Sequence, residues 1–267
     1  MSIINSGDSM FGKDKKKKSG NNNIDSESNK SKQDKELGKS LDDNINLVKS
    51  ILSDDETLVV RRFQNKFLKA AKCCIIYFDG MVNQLIINES IIKPVLDSNL
   101  TQDISANNLL EELQFKVLVN NYLVSSRNVD SIVDAIICGD VVFFLDGYDE
   151  ALVIRANDWE KRAITEPESE RLMRGPREGF TESLETNLVL LRRRIKCPLF
   201  KTEFRVIGQR TRTKVCVCYI SDIVSLNILN ELRRRLDDIN IDGIIDSGYI
   251  QELIRDEPFS PSPPRRR

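Results

Sequence analysis

Residues 174–184, RGPREGFTESL, are the stretch that decides how this chain is organised. A glycine and proline pair followed by a second glycine makes a stiff turn, because glycine accepts backbone angles that other residues avoid and proline fixes its own. The turn runs into a segment whose apolar residues recur at helical spacing, at Leu184, Leu188, Leu191 and Ile195. The sequence therefore predicts a junction, with a linker before it and a new helix after it.

Composition narrows the classes of protein to which this chain can belong. It has 267 residues, 40% of them hydrophobic, with 40 basic and 41 acidic side chains and no histidine. The balanced charge gives no general attraction to nucleic acid or to an anionic membrane. Without histidine, Ser-His and Cys-His nucleophilic pairs and most zinc and iron sites are excluded, and no glycine-rich nucleotide-binding motif occurs. These absences remove the usual machinery of most hydrolases and nucleotide enzymes, so we predict no catalytic residues, cofactor or metal site.

The cysteines bear on metal binding and on the cellular compartment. None of the six forms a C-x-x-C pair; they are Cys73, Cys74, Cys138, Cys197, Cys216 and Cys218. Cys216 and Cys218 lie two residues apart in an alternating run, where a strand directs both to one face. Small apolar core residues explain this pair better than metal ligands do. The low cysteine density and the lack of a secretory signal predict a reducing compartment.

Composition and periodicity predict an α/β protein with two small subdomains, mixed sheets and a disordered tail. The predicted parts are the Lys/Asn/Ser-rich tail 1–39, a first subdomain 40–163, a linker 164–180, a second subdomain 181–257 and a proline-rich end 258–267. The tail has too few apolar residues to offset its chain entropy. Its run of four lysines at 15–18 can attract lipid or nucleic acid, but a solvated tail is the simpler interpretation.

Local patterns predict the helices and strands of both subdomains. Helices are predicted from Ser40 and over 83–92, 106–119, 129–137, 181–195, 225–236 and 248–255, and strands over 58–63, 72–78, 140–145, 151–155, 199–208 and 212–220. The helix from Asn83 is predicted to stop at Lys93, because Pro94 disfavours helical geometry in the residue before it. Strand and helix alternate, and the Asp146-Gly147 turn marks a hairpin, so a mixed sheet is expected.

Two arginine triplets, at 192–194 and 233–235, look at first like nucleic-acid patches. Each lies in a predicted amphipathic helix whose apolar stripe is buried, which leaves the arginines on flanking or solvent faces. Only 6% of the residues are aromatic, so few rings are available to stack on bases. We expect an acidic protein surface, and no nucleic acid, as the partner of these clusters.

Several strings of residues resemble the GerA family, the A subunits of nutrient germinant receptors in endospore-forming bacteria. They are RGPREGFTESL at 174–184 with Thr186-Asn187 and LRRRI at 191–195, YFDGMV at 77–82, GDV at 139–141 with Asp146-Gly147, IIDSGYI at 244–250 and PFSP at 258–261. The similarity covers roughly residues 40–261 in the family's order.

The resemblance implies a cytosolic region of two α/β subdomains, followed in the full protein by a membrane domain. Members of the family lie in the spore inner membrane with B and C subunits, this region facing the spore core, and nutrient sensing triggers ion release. The A subunit is expected to form a homo-oligomeric ring-shaped channel, and the resemblance implies that the protein is not an enzyme. The family continues into membrane helices where this chain stops, so we interpret the chain as a truncated product or a soluble, cytoplasmic fragment.

The leading hypothesis is a module for receptor assembly and signal coupling. Its interaction or hinge residues are Arg174, Gly175, Pro176, Arg177, Glu178, Gly179 and Phe180. Pro176 would limit the hinge, and the charged residues would form ion pairs across it. A turn at a helix start, without any partner, is the alternative for this motif. The rival function is binding of a small anionic metabolite between the subdomains, near Gly179 and Thr181 at the helix start.

Overall fold

The computed structural model describes residues 35–69, 71–98, 109–157 and 179–255. The helices are α1 (Leu41–Ile51), α2 (Gln84–Ile86), α3 (Lys93–Asp97), α4 (Leu109–Glu112), α5 (Val129–Ile137), α6 (Leu184–Arg194), α7 (Leu226–Asp237) and α8 (Ser247–Leu253), with π-helices at Ile87–Ile92 and Leu113–Val117. The strands are β1 (Leu58–Gln64), β2 (Lys72–Phe78), β3 (Leu123–Ser126), β4 (Val141–Leu145), β5 (Ala151–Ile154), β6 (Phe200–Ile207) and β7 (Thr213–Ile220). The predicted α/β class is confirmed.

The first sheet has five strands in the order β1-β2-β4-β5-β3. Every pairing within it is antiparallel, which corrects the predicted mixed sheet. The reason is topological: α5 connects β3 to β4, and these two strands run in the same direction but have β5 between them. Alternation of strand and helix therefore does not require neighbouring parallel strands. β3 is an edge strand of four residues that the sequence analysis missed.

Both faces of this sheet are buried, and β2 shows how the sequence achieves this. Cys73, Ile75 and Tyr77 pack on one face, and Cys74, Ile76 and Phe78 pack on the other. The first face is covered by the helical segments over 84–97 and 109–117, and the second by α1 and α5. Alternate side chains of a strand point to opposite faces, so an uninterrupted apolar run suits a strand between two helical layers.

Helix ends in this layer follow local rules, and the predicted start of α1 at Ser40 is confirmed. The Ser40 hydroxyl caps α1 by accepting a hydrogen bond from the Asp43 amide at 3.3 Å. Asn128 caps α5 by accepting from the Ser131 amide at 2.9 Å. Gly139 ends α5 with a φ of 88°, a conformation that favours glycine.

The helix that begins near Asn83 continues past Pro94, contrary to the prediction that it stops at Lys93. The π-helix Ile87–Ile92 lies immediately before α3, and the Lys93 amide donates to the carbonyl of Asn88, five residues back. In a regular α-helix the proline ring would clash with the carbonyl four residues earlier. The wider π-helical turn changes the position of that carbonyl, so the helix accommodates Pro94 at the start of α3.

The second sheet is the antiparallel pair of β6 and β7. A small core on this sheet consists of Ile207, Leu236 and Ile244, with Val215 and Val217 packed against it. α7 and α8 contribute to this core, and α6 contacts β7. Among the helices of the described ranges, none combines the length and the apolar character needed to cross a bilayer.

The predicted boundaries of tail, subdomains and linker stay predictions. Residues 1–34, 158–178 and 256–267 lie outside the described residues, and they include most of the predicted tail, the linker and the proline-rich end. The start of the helix predicted over 106–119 also lies outside them, whereas α4 and the following π-helix fall within that range.

Phe144→Ala is expected to lower the free energy of unfolding by about 3–5 kcal/mol, because it removes a buried ring and leaves a cavity. Phe144 is a residue of β4 and is 1% exposed. Phe115→Ala is the matched control: its ring is 77% exposed, so we expect a change within about 0.5 kcal/mol. Urea unfolding followed by circular dichroism measures both values, and equal losses would contradict the assignment of the core.

Candidate functional site: a buried junction between the two sheets

Arg192 of α6 is buried, with 4% of its side chain exposed. Its guanidinium carbon lies 3.8 Å from the centre of the Phe78 ring and 5.2 Å from that of Phe200. The prediction that the arginines of this triplet lie on flanking or solvent faces is therefore wrong for Arg192. The helical period contains the reason, because Arg192 follows the buried Leu188 by four residues and so lies on the same face.

The partner of Arg192 is Asp55, which lies just before β1 and is 1% exposed at its side chain. Nη2 of Arg192 donates to Oδ2 of Asp55 and, at 2.8 Å, to the hydroxyl of Thr57. The other carboxylate oxygen, Oδ1, accepts from the hydroxyls of Thr57 and Thr202, both at 2.7 Å. A buried ion pair is tolerated when further hydrogen bonds satisfy its charges, and this carboxylate meets that condition.

Backbone hydrogen bonds extend the junction on either side of the ion pair. The Glu56 amide donates to the carbonyl of Thr202 at 3.2 Å, and the Phe204 amide donates to the Glu56 carboxylate at 3.0 Å. The Asp79 amide donates to the carbonyl of Thr57 at 2.8 Å. The short loop before β1 is thus bonded to β6 of the second sheet and to the end of β2 in the first. We call Asp55, Thr57, Arg192 and Thr202 the junction cluster.

A cavity of about 680 Å³ adjoins the junction cluster on the side of α7. Its polar lining includes Asp54, Glu56 and Glu203, and Leu226 and Leu229 contribute apolar surface. With Asp55, four carboxylates line the cavity against the single guanidinium of Arg233, so the lining is acidic and disfavours an anionic ligand. Within the described ranges, no group of three or more His, Cys, Asp or Glu side chains is arranged as a metal site.

Glu203 is held by two neighbours on this cavity wall. The hydroxyl of Tyr219 donates to Oε1 at 2.6 Å, and Nε of Arg233 donates to Oε2 at 2.9 Å. The hydrogen bonds from Arg233 are the main cause that lowers the pKa of Glu203 below its ordinary value of 4.5. This cluster fixes α7 on the second sheet.

The predicted interaction and hinge residues are only partly described. Residues 174–178 lie outside the described part of the chain, while Gly179, Phe180 and Thr181 lie within it. The Phe180 side chain is 66% exposed. The Thr181 amide donates to Oδ1 of Asn187, and Nδ2 of Asn187 donates back to the Thr181 carbonyl, each at 2.7 Å. These bonds close a turn before α6, and the anion site at Gly179 and Thr181 stays a prediction.

The sequence analysis missed three members of the junction cluster: Asp55, Thr57 and Thr202. An aspartate beside a second aspartate before a strand is typical of a solvated turn, and threonines are common in strands. Of the four residues, only Arg192 had a sequence pattern that indicates burial, because it lies on the apolar stripe of α6.

Residues 46–267 match the family model of the Bacillus/Clostridium GerA spore germination protein. The chain belongs to the GerA family. Among GerA relatives, spore germination protein KA of Bacillus subtilis strain 168 is 33% identical over 227 residues, which cover 85% of this chain and 41% of that protein. Spore germination protein GerLA of Bacillus cereus is 38% identical over 132 residues, which cover 49% of this chain and 27% of that protein. The chain thus spans less than half the length of either relative.

A solved GerA-type structure has a similar fold. The N-terminal domain of the A subunit of the Bacillus megaterium spore germinant receptor GerK3 superposes with a TM-score of 0.64 at 27% identity, covering 83% of this chain and 80% of that domain. The resemblance drawn from the sequence motifs is therefore confirmed, and so is the association of this α/β fold with germinant receptor A subunits.

Arg192→Met and Asp55→Asn are each expected to lower the free energy of unfolding by about 3–5 kcal/mol, because each leaves an uncompensated group in a buried site. The double variant should lose less unfolding free energy than the sum of the two single losses, with a coupling energy of about 0.5–3 kcal/mol. Urea unfolding of the parent, the two single variants and the double variant provides the double-mutant cycle. Strictly additive losses would show that the two side chains do not interact.

The matched control for this cycle is Arg62→Met. Arg62 pairs with Asp42 at 2.5 Å, but their side chains are 55% and 68% exposed. A solvent-exposed pair contributes about 1 kcal/mol or less, so this variant should be nearly as stable as the parent.

Glu203→Gln is expected to make stability less dependent on pH in the acidic range. Because the folded-state pKa of Glu203 is lowered, its contribution to stability is fully present above 4.5 and is lost as the pH falls through the folded-state value. The variant should be less stable than the parent near pH 7 and should lose less stability on acidification. Urea unfolding at a series of pH values tests this, and Glu252→Gln at an exposed position serves as the control. Parallel profiles for parent and Glu203→Gln would contradict the assignment.

Proposed function

We propose that this chain is the cytosolic region of a germinant-receptor A subunit and acts in receptor assembly and signal transduction. In this proposal it works with B and C subunits in the spore inner membrane, facing the spore core, and the full-length subunit forms a homo-oligomer. Nutrient sensing then leads to ion release and germination. Membership of the GerA family and the similarity to the GerK3 domain support the proposal.

The observation that carries the signalling part is the junction cluster. A module that passes a displacement from one partner to another needs a rigid connection between its parts, since a loose one would absorb the movement. Here a buried ion pair connects α6 to the loop before β1, and the hydroxyls of Thr57 and Thr202 add hydrogen bonds to it. Packed cores and interfaces of this kind change between discrete arrangements rather than deforming continuously.

The motif at 174–180, which precedes α6 in the chain, is proposed as an interaction and hinge segment. Its last residue, Phe180, exposes an aromatic ring three residues before the Ser183 cap of α6. An exposed aromatic side chain contributes large contact area at low conformational cost when a partner covers it. Because α6 carries Arg192, a partner bound at Phe180 would act on the helix that holds the two sheets together.

Binding of an anionic metabolite is the second function that the sequence suggests, and it has less support. The Thr181 amide already has an acceptor in Asn187, and the described cavity beside the junction is lined with carboxylates. Neither observation favours an anion. Receptor assembly and signalling is the conclusion that the geometry supports best.

The test uses spores that produce the full-length subunit together with its partner subunits. Asp55→Asn is expected to slow nutrient-triggered ion release roughly tenfold or more. A factor of this size corresponds to a typical coupling free energy between two sites, about 1–3 kcal/mol. Immunoblots of the inner membrane distinguish the two roles: normal subunit levels with slow germination indicate a defect in coupling, and loss of the B or C subunit indicates a defect in assembly.

Asp54→Asn is the matched control, since it makes the same chemical change at the exposed neighbouring residue. Asp54 has a φ of 59°, which asparagine tolerates well, so the backbone should be unaffected.

Arg177→Ala tests the motif in the same spores and should also impair assembly or germination. Normal germination and normal subunit levels for both Asp55→Asn and Arg177→Ala would overturn the proposal.

A further inference from the structure

Cys216 and Cys218 of β7 place their sulfur atoms 3.7 Å apart on one face of the second sheet. Both residues are half-buried, whereas Cys73 and Cys74 are fully enclosed in the first sheet. The pair was predicted to be apolar core, but both residues are partly accessible to solvent. Two thiols at this distance can react with each other, which a single buried cysteine cannot do.

We propose that Cys216 and Cys218 form a dithiol that exchanges with small organic disulfides and closes to an intrastrand disulfide. Residues two apart on a strand have Cα atoms about 6.6–6.8 Å apart. Disulfides usually span about 4.4–6.8 Å between Cα atoms, so this pair lies at the upper end of the range. The Cβ atoms of such a pair lie farther apart than the about 3.5–4.5 Å that a disulfide needs, so closing the bond requires a local change in the backbone of β7. A bond formed in this way is of the readily reduced kind rather than a structural staple.

Cys218 is the attacking thiol in this exchange. The hydrogen bond from Cys216 lowers the pKa of Cys218, and the Arg192 guanidinium lowers it further. The same hydrogen bond, together with burial, raises the pKa of Cys216. By contrast, burial raises the pKa of Cys73 and of Cys74 to about 12, so these thiols stay unreactive.

The exchange proceeds in two balanced steps. The Cys218 thiolate attacks one sulfur of a disulfide RSSR, forming a mixed disulfide and releasing RS⁻, which takes up a proton. Cys216 then loses its proton to solvent and attacks Sγ of Cys218, which forms the intrastrand bond and releases the second RS⁻. The net change oxidises the two protein thiols and reduces one RSSR to two RSH.

The position of Cys218 links this chemistry to the junction cluster. Cys218 is paired directly across the sheet with Thr202, whose hydroxyl donates to Asp55. A group attached to Cys218, or a backbone shift that closes the disulfide, therefore acts on a residue that holds the ion pair. The proposed redox chemistry does not depend on the receptor function, and its test uses the purified 267-residue chain.

The experiment incubates the chain with oxidised glutathione, alkylates the remaining thiols with a maleimide and measures the mass of the intact protein. We expect two thiols to become unavailable, with peptide mapping placing the bond between Cys216 and Cys218. Cys218→Ser should slow thiol loss at this site about tenfold or more, because the activated thiol is gone. Cys216→Ser should instead retain glutathione on Cys218, since no second thiol is present to release it.

Cys197→Ser is the matched control at another half-buried cysteine, and it should leave the loss of two thiols unchanged. Circular dichroism of each variant verifies that the fold is retained. Two results overturn the proposal: the same rate of thiol loss in Cys218→Ser as in the parent, or adducts on Cys138 and Cys197 with Cys216 and Cys218 still free.

Discussion

The placement of the second sheet depends on one ion pair, between Asp55 and Arg192. Removing both charges from water is costly, and their mutual attraction offsets that cost only when the remaining hydrogen-bonding capacity is also used. Thr57 and Thr202 supply hydroxyls to the carboxylate, and the Phe78 ring covers the guanidinium. We expect this pair to contribute more to a single defined arrangement than to net stability, because an alternative packing would leave a charge without its partner.

Local signals in the sequence predict much of the first sheet. Ser40 before α1 and the apolar run of β2 act through neighbours that are close in the chain, and their predictions are confirmed. Pro94 was predicted to end a helix because a rule for regular α-helices was applied to a segment that becomes a π-helix. The direction of neighbouring strands depends on which strand a crossover skips, and no local pattern records this. β3 was missed because four residues with two serines give too short an alternation.

The junction cluster was beyond the reach of the sequence for a different reason. Its charged members belong to an aspartate pair and an arginine triplet, and such groups usually lie at the protein surface. Only contact between distant segments shows which aspartate and which arginine leave the solvent. The resemblance to the GerA family reached the correct family from short motifs, yet it carried no information about this contact. Helical periodicity places Arg192 on the same apolar stripe as Leu188. If this position had been weighed above the charge of the side chain, burial of Arg192 would have been predicted.

The sequence separation within the junction cluster has a consequence for the order of folding. The β4–β5 hairpin closes over a few residues, whereas Asp55 lies 137 residues from Arg192 and 147 from Thr202. Closing such long loops costs chain entropy that is recovered only after both ends have their final shape. We therefore expect the five-stranded sheet to form first, during synthesis and before β6 has left the ribosome, with the second sheet docking in a late and slower kinetic phase.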